Sequence, residues 1–406
     1  MTANPLLKKG GQKTPIFWYR IPFYAKFFVN LCRSYAFKAQ FDIEMKITIV
    51  AGARPNFMKI APIIRAIDTK RNEGKNISSR LVYTGKKEDN SLETSIFSDL
   101  HMRTPDVYLN IEEANHIQLA AGIMIAFDKE LDENPADVVL VVDDLTATMS
   151  CAIVAKKRGV KVAHLVAGTR SFDMNMPKEV NRMITDGLSD FLFTAGMVAN
   201  RNLNQTGTQD SNVYHVGNIL IDNIRYNHNH FISPLWLGSI LPEGQEYLLL
   251  TLNRRVLLNK KEQLRALLEQ IIEKANGTTI LTPVHSYVQE AINATGITAP
   301  NLHLLPSQNY LTFGYLMRNA KGILTDSGNI AEEATFLGVP CITMNTFAEH
   351  PETWKIGTNE LVGEDPELLG KAVERLMKGE WKKGELPERW DGRTAERIIQ
   401  ILSENI

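Results

Sequence analysis

The sequence predicts an α/β protein with two doubly wound, Rossmann-like domains that face each other across a cleft. Short β-branched runs alternate with helical periodicities, and the alternation begins again after a proline- and glycine-rich linker at 228–244. The length of 406 residues also exceeds the usual size of one domain. We expect an N-terminal domain at 45–227, a C-terminal domain at 245–385 and a C-terminal helix at 386–406.

The composition excludes several classes of protein. A formal net charge of −1 argues against a chain that binds nucleic acid over its whole surface. Cys32, Cys151 and Cys341 lie far apart, without the spacing of a metal site or a disulfide framework, which is typical of reduced thiols in a cytoplasmic protein. No apolar run is long enough to cross a bilayer, so we expect no nucleic acid, no integral membrane segment and no metal.

Residues 1–44 differ from the rest of the chain, because basic residues alternate there with aromatic ones. One interpretation is a segment that binds a membrane surface. The other, which we favour, is a start assigned too far upstream, so that this extension is not translated and Met45 opens the protein directly on its first strand.

The N-terminal domain is predicted from strands that end in polar or glycine-containing turns. The strand 46–51 precedes the turn 52–56 and a helix at 57–69, and the fully apolar strand 138–142 indicates a parallel sheet. Further elements are the strands 81–85 and 160–165 and the helix 147–158. Ligands of such sheets bind beyond the carboxyl ends of the strands. The candidates there are Arg54, Lys59, Gly85, Asp144, Gly168 and Arg170.

The C-terminal domain is organised around one strand, turn and helix. The strand 322–325 is followed by Ser327, Gly328 and Asn329 at the start of a helix that ends at Leu337. Backbone N–H groups and the helix dipole make that corner a natural phosphate site, and Glu333 could accept hydrogen bonds from a ribose. The alternative is a Ser/Asn helix cap with nothing bound. The other strands and helices expected here are 247–251, 278–281, 302–305 and 341–344, and 260–275, 371–378 and 395–403.

Two such domains across a cleft form the GT-B arrangement. The first turn, Gly52-Ala53-Arg54-Pro55, lacks the GxGxxG pattern of dinucleotide-binding domains. We therefore predict no redox cofactor.

Several motifs together resemble the non-hydrolysing UDP-N-acetylglucosamine 2-epimerases. The opening 52–62, GARPNFMKIAP, resembles their GTRPExxKxAP, and the resemblance continues almost unbroken from Met45 to Ile406. It includes the segments 82–85, 163–171, 181–182, 216–218, 326–334 and 349–352. Each motif alone is weak, but their combination is specific.

The resemblance implies a GT-B homodimer that acts on a UDP-amino sugar in the cytoplasm, in polysaccharide biosynthesis. UDP leaves across C1–C2 to give a glycal and adds again after a proton returns to the opposite face of C2. Cations must hold the diphosphate, and an acid and a base must move the proton. By similarity Arg54 and Lys59 serve the diphosphate and sugar, and Asp144 is the acidic group; the alternatives are solvated cations and a helix N-cap. The remaining substrate-binding candidates are Arg170, Asn253, His285, Ser327, Gly328, Asn329 and Glu333.

The match fails at titratable positions. Val166 stands where the HxEAG motif has its glutamate, and Lys178 stands where the first glutamate of PEExNR is expected. Asn253 replaces the histidine of HRREN, and His350 replaces the arginine before Pro-Glu. Lys178 could serve as a base only if burial or neighbouring cations, such as Arg54, Lys59, Lys86 and Lys87, depressed its pKa.

Three hypotheses follow from this pattern. The first is an isomerase that interconverts UDP-GlcNAc and UDP-ManNAc, with Asp144, Lys178, Arg54 and Lys59 as catalytic candidates. The second is a catalytically degenerate protein that binds a UDP-sugar without turnover. The third is a relative that hydrolyses the glycal or accepts a different UDP-sugar.

Overall fold

The computed structural model describes residues 44–89 and 95–406. Its strands are β1 (Met45–Ala51), β2 (Ile77–Tyr83), β3 (Val107–Tyr108), β4 (Val138–Val142), β5 (Lys161–Leu165), β6 (Phe191–Thr194), β7 (Val213–His215), β8 (Tyr247–Thr251), β9 (Thr279–Val284), β10 (Leu302–Pro306), β11 (Gly322–Thr325), β12 (Cys341–Thr343) and β13 (Asn359–Leu361). The extension at 1–44, for which the sequence left two interpretations, lies outside the described residues except for Glu44.

Sixteen α-helices of the described residues connect or flank these strands, and the first begins at Arg54. They are α1 (Arg54–Asn72), α2 (Ser95–Asp99), α3 (His116–Glu133), α4 (Thr146–Lys157), α5 (Pro177–Leu188), α6 (Met197–Gln205), α7 (Ile219–Asn227), α8 (Leu237–Ile240), α9 (Arg255–Leu258), α10 (Lys261–Lys274), α11 (Ser286–Ala294), α12 (Tyr310–Asn319), α13 (Gly328–Leu337), α14 (Glu352–Lys355), α15 (Pro366–Met377) and α16 (Thr394–Asn405).

Within the described residues the strands form two parallel sheets with the same winding. The first sheet has the order β3-β2-β1-β4-β5-β6-β7, and the second has the order β10-β9-β8-β11-β12-β13. In both, the chain starts at a central strand, winds outward in one direction and then returns to wind in the other. The predicted GT-B fold is confirmed by this pair of doubly wound sheets and by the structural relatives described below.

Apolar side chains cover both faces of each sheet. Ile49 and Leu140 pack on one face of the first sheet with α1, while Val139 and Val141 pack on the other face with α3 and α4. Because β4 is buried along its whole length, its uninterrupted VVLVV sequence is explained by packing on both faces.

The final helix, α16, packs in the core of the first sheet, although it follows the second sheet along the chain. Ala395, Ile398, Ile399 and Leu402 of α16 are buried in the cluster that contains Ile49 and Phe57. Asp222 of α7 accepts hydrogen bonds from the backbone N–H groups of Thr394 (3.1 Å) and Ala395 (2.9 Å), which caps the start of α16. We call the sheet β1–β7 with its helices the first half of the molecule and the sheet β8–β13 with its helices the second half. The chain thus forms the second half and then returns, with α16, to pack against the first half.

Each winding reverses at a switch point, where neighbouring strands diverge to opposite sides. In the first sheet this point lies between β1 and β4, and in the second it lies between β8 and β11. Ligands of doubly wound sheets bind at these crevices. In the described part of the chain, no helix is long and apolar enough to cross a membrane, and no three His, Cys, Asp or Glu side chains are grouped as metal ligands would be.

Candidate active site

Arg54 and Lys59 lie at the switch point of the first sheet. The predicted turn 52–56 is shorter than expected, because α1 already begins at Arg54 and Pro55 is tolerated in a first helical turn. Lys59 is buried and forms an ion pair with Asp143, which directly follows β4. Burial disfavours the ammonium ion, but the charges of Asp143 and Glu332 outweigh it and raise the pKa of Lys59. Lys59 is therefore a fixed positive charge at this corner.

A buried polar chain fixes the loops that carry this corner. His164 on β5 contacts the Asp143 carbonyl with Nε2 (2.8 Å) and Asp186 with Nδ1 (2.7 Å). Arg170 donates to the same Asp186 (2.6 Å). Asp143 has a left-handed backbone with φ of 61°, and the His164 contact holds its carbonyl in that conformation. The substrate-binding role expected of Arg170 stays a prediction, since its observed partner is a buried carboxylate.

Asp144 lies beside Asp143 and forms two ion pairs with α5. Its carboxylate contacts Arg182 at 2.6 Å and Lys178 at 3.2 Å. Leu145, and not Asp144, occupies the N-cap of α4, so the capping alternative for Asp144 is wrong. The Lys178 side chain is 56% exposed and its partner is an acid. These surroundings differ from the buried, cationic ones that a lysine base requires.

Arg182 connects the two halves of the molecule at this point. It is almost fully buried and donates to Glu179 of its own helix (3.1 Å) and to Glu349 of the second half (3.0 Å). The sequence showed Arg182 only as part of a matching motif. Its bridging role depends on a partner that is distant along the chain, and no local signal indicates such a partner.

The switch point of the second sheet carries Asn253 and the start of α13. Asp326, which follows β11, accepts hydrogen bonds from the backbone N–H groups of Asn253 and Arg254, each at 2.8 Å. Tyr287 donates a hydrogen bond to the Asn253 side chain and stacks on His285, with ring centroids 5.8 Å apart. Asn253 and His285 therefore belong to one polar and aromatic surface.

The first turn of α13 contains the predicted phosphate corner. Ser327 is the N-cap residue, and among the described residues its side chain caps none of the N–H groups of the helix. The N–H groups of Gly328 and Asn329, the first two residues of the helix, therefore lie at its positive end. One turn later Glu333 is buried, and burial together with the charge of Glu332 raises its pKa to about 8.

Two cavities are lined by residues from both halves. Arg54 from the first half and Asn253, His285 and Ile330 from the second line a cavity of about 180 Å³. A smaller cavity is lined by Lys59 and Val166 on one side and by Glu332 and His350 on the other. The structure thus brings Arg54, Asn253 and His285 together, and it places Lys59 at the second cavity.

Comparisons with known proteins agree with this geometry. The profile of the family described as UDP-N-acetylglucosamine 2-epimerase matches residues 69–403. The UDP-N-acetylglucosamine 2-epimerase of Methanocaldococcus jannaschii is 33% identical over 372 residues, which are 88% of this chain and 99% of that protein. The crystal structure of the M. jannaschii enzyme in complex with UDP-GlcNAc and UDP superimposes with a TM-score of 0.76, covering 89% of this chain and 100% of that chain at 33% identity.

A relative named for a different substrate is almost as similar. The UDP-2,3-diacetamido-2,3-dideoxy-D-glucuronate 2-epimerase of Pseudomonas aeruginosa is 30% identical over 363 residues, which are 89% of this chain and 100% of that protein. Both relatives match over nearly their whole length. The chain therefore belongs to the UDP-N-acetylglucosamine 2-epimerase family.

Proposed function

We propose that this protein interconverts UDP-GlcNAc and UDP-ManNAc by eliminating UDP and adding it again. One observation carries the proposal: the cavity between the two doubly wound halves is lined from both sides, by Arg54 of the family's opening motif and by Asn253 and His285 of the second half. The M. jannaschii relative, whose solved structure holds UDP-GlcNAc and UDP, supports the choice of substrate.

The nucleotide is assigned to the second half of the molecule. The backbone N–H groups of Ser327, Gly328 and Asn329 at the start of α13 would hold the diphosphate. Glu333 would accept hydrogen bonds from the ribose hydroxyls. Arg54 would contact the diphosphate from the first half, since its guanidinium matches phosphate oxygens. Lys59 would add a positive charge near the leaving group, which stabilises the negative charge that develops as the C1–O bond breaks.

Proton transfer at C2 is assigned first to Asp144. It is the acid that the resemblance implies, and Arg182, which also pairs with Glu349 of the second half, holds it in a buried position. Lys178, the base that the sequence offered, contacts the same carboxylate from an exposed position.

The proposal is tested by proton NMR of UDP-GlcNAc incubated with the protein in heavy water. We expect UDP-ManNAc to form with deuterium at C2, because the proton that returns comes from groups in exchange with solvent. UDP-ManNAc without deuterium, or no product at all, would contradict the proposal. Heat-denatured protein is the control.

A second candidate function is supported by Val166 and Asn253. A valine cannot transfer a proton and an asparagine does not titrate near neutral pH. These residues favour a protein that binds a UDP-sugar without turnover, or one that acts on a different UDP-sugar, such as the diacetamido sugar named for the P. aeruginosa relative. Line broadening of UDP-GlcNAc without product would favour the binding protein, and free UDP with a glycal would favour hydrolysis. A large gain of activity in the double variant Val166→Glu, Asn253→His would show that the native site had lost the reaction.

We also propose a cytoplasmic homodimer, which rests on the family alone. Size-exclusion chromatography with light scattering would report the mass of the particle. A monomer at micromolar concentration would contradict the dimer.

A further inference from the structure

Two departures from the family motifs line the same small cavity. Val166 and Lys59 form its wall in the first half, and His350 and Glu332 form its wall in the second half. At position 166 a titratable carboxylate is replaced by an alkyl group, and at position 350 a permanently charged arginine is replaced by a titratable imidazole. One proton-transfer group is therefore lost and another gained at one place in the cleft.

The backbone at Val166 keeps an unusual conformation. Its φ is 70°, in the left-handed region that a β-branched residue rarely adopts. Such strain persists only where the surrounding structure imposes it. Here β5 ends in the loop that the buried His164–Asp186–Arg170 chain fixes, and this loop places the Val166 side chain at the cavity.

His350 and Glu332 form a buried pair in which a carboxylate lies beside an imidazole ring. His350 Nε2 lies 3.8 Å from Glu332 Oε1, and both side chains are more than nine-tenths buried. Asn218 donates to the other carboxylate oxygen at 2.6 Å, which fixes Glu332. A carboxylate at this distance stabilises the imidazolium that forms when the ring accepts a proton.

The pair also lies next to the phosphate corner. His350 and Glu332 line a further cavity together with Gly328, the first residue of α13. Glu349, the neighbour of His350, is joined through Arg182 to Asp144. The imidazole thus stands between the proposed diphosphate site and the Lys59 corner, and a sugar joined to that diphosphate would extend into the same region.

We propose that His350, supported by Glu332, is the second proton-transfer group of this protein and performs the role that Val166 cannot. This inference rests on the proposed epimerase function. His350 takes the proton from C2, the electron pair of the C–H bond forms the C1=C2 double bond, and the C1–O bond breaks with its electrons leaving on UDP. Asp144 gives a proton to the opposite face of C2 as UDP adds to C1. The reverse reaction uses the same two groups in exchanged roles.

The test compares wild type, His350→Gln and the double variant His350→Gln, Val166→Glu with UDP-GlcNAc in heavy water. We expect His350→Gln to lower the rate of epimer formation about 100-fold or more, because general acid–base groups contribute on that order. UDP affinity and the melting temperature should stay close to wild type. Val166→Glu in the same background should restore a large part of the rate, which no purely structural role of His350 explains. His303→Gln on β10, outside both cavities, is the matched control.

The outcomes separate this inference from the proposed function. A wild type that forms no epimer overturns the epimerase and the inference with it. An active wild type whose His350→Gln variant keeps its rate overturns the inference alone, as does a folded, inactive variant that Val166→Glu does not restore. If His350→Gln does not fold, Glu332→Gln takes its place in the same series, with the same expected loss and the same rescue.

Discussion

At the scale of single residues, the adjacent carboxylates of Glu332 and Glu333 are an unusual feature of α13. Both are buried, and burial raises the pKa of each. For Glu333 the charge of Glu332 adds to this effect, and its pKa is about 8 compared with the ordinary value of 4.5. The folded protein therefore holds a proton on Glu333 at neutral pH that the unfolded chain releases.

This proton makes stability depend on pH in a defined direction. Well below pH 4.5 the carboxyl is protonated in both states, and well above about 8 it is ionised in both, so its effect on the free energy of unfolding changes mainly between these values. Because the folded state binds more protons in that window, stability falls as the pH rises through it. We expect Glu333→Gln to be more stable than wild type by a margin that grows from pH 5 to pH 8, as measured by thermal unfolding.

The exposed Glu388→Gln is the control, and its difference from wild type should not grow with pH in this window. A constant difference between Glu333→Gln and wild type would mean that Glu333 is ionised in the folded protein.

The sequence could identify residues of the site but not the contacts between them. Arg54, Asp144 and the α13 corner were predicted because they follow strands, which is a local property. The ion pair between Arg182 and Glu349 and the cavity shared by Val166 and His350 join residues that are distant along the chain. No periodicity or motif spacing encodes such contacts.

At the scale of the elements, α13 begins with a glycine that the packing of the protein does not require. A Cβ atom added to Gly328 would meet no other protein atom within 4 Å, so the fold itself does not require glycine there. Glycine at the first position of a helix that binds phosphate instead permits a close approach of the ligand to the backbone.

We expect Gly328→Ala to leave the melting temperature at or above that of wild type and to weaken UDP binding roughly tenfold, which corresponds to about 1.4 kcal/mol. Isothermal titration calorimetry with UDP measures this change. Gly187→Ala on α5, where an added Cβ also meets nothing within 4 Å, is the matched control and should bind UDP like wild type. Equal affinity in both variants would place the diphosphate elsewhere.

Most element types follow from local pattern, while several boundaries do not. The alternation of apolar strands and periodic helices predicted the two halves, but the start of α1 was placed at Phe57 instead of Arg54. The turn-like residues Arg54, Pro55 and Asn56 are compatible with a first helical turn. The Asn56 side chain holds them in that form, because it accepts a hydrogen bond from the Gly52 N–H (2.8 Å) and donates one to the distant Asp143 (2.8 Å).

At the scale of the whole molecule, α16 joins the end of the chain to the first sheet. The amphipathic pattern of 395–403 predicted a helix, but not the side on which it packs. The structure places it against α1 and α7, with Asp222 at its N-terminus. Burial raises the pKa of Asp222 to about 6, although the hydrogen bonds from Thr394 and Ala395 oppose this rise.

We expect Ile398→Ala to lower the free energy of unfolding by about 2–5 kcal/mol, because Ile398 is fully buried among residues of the first sheet. Urea denaturation followed by fluorescence would measure this loss. Leu368→Ala, at a half-exposed position on α15, is the control and should change the free energy by less than about 1 kcal/mol. Equal losses would contradict the structural role of α16.

The position of α16 has a consequence for synthesis of the chain. A ribosome releases the first sheet, with its apolar surface, long before the last helix that covers part of it has been made. The N-terminal half thus remains incomplete while the whole second half is translated and folds. Completion of its core depends on contacts between α16 and the first sheet, which are far apart along the sequence and therefore form slowly. During that interval the nascent chain exposes apolar surface that is prone to aggregate. We expect chaperone binding to matter most at this stage.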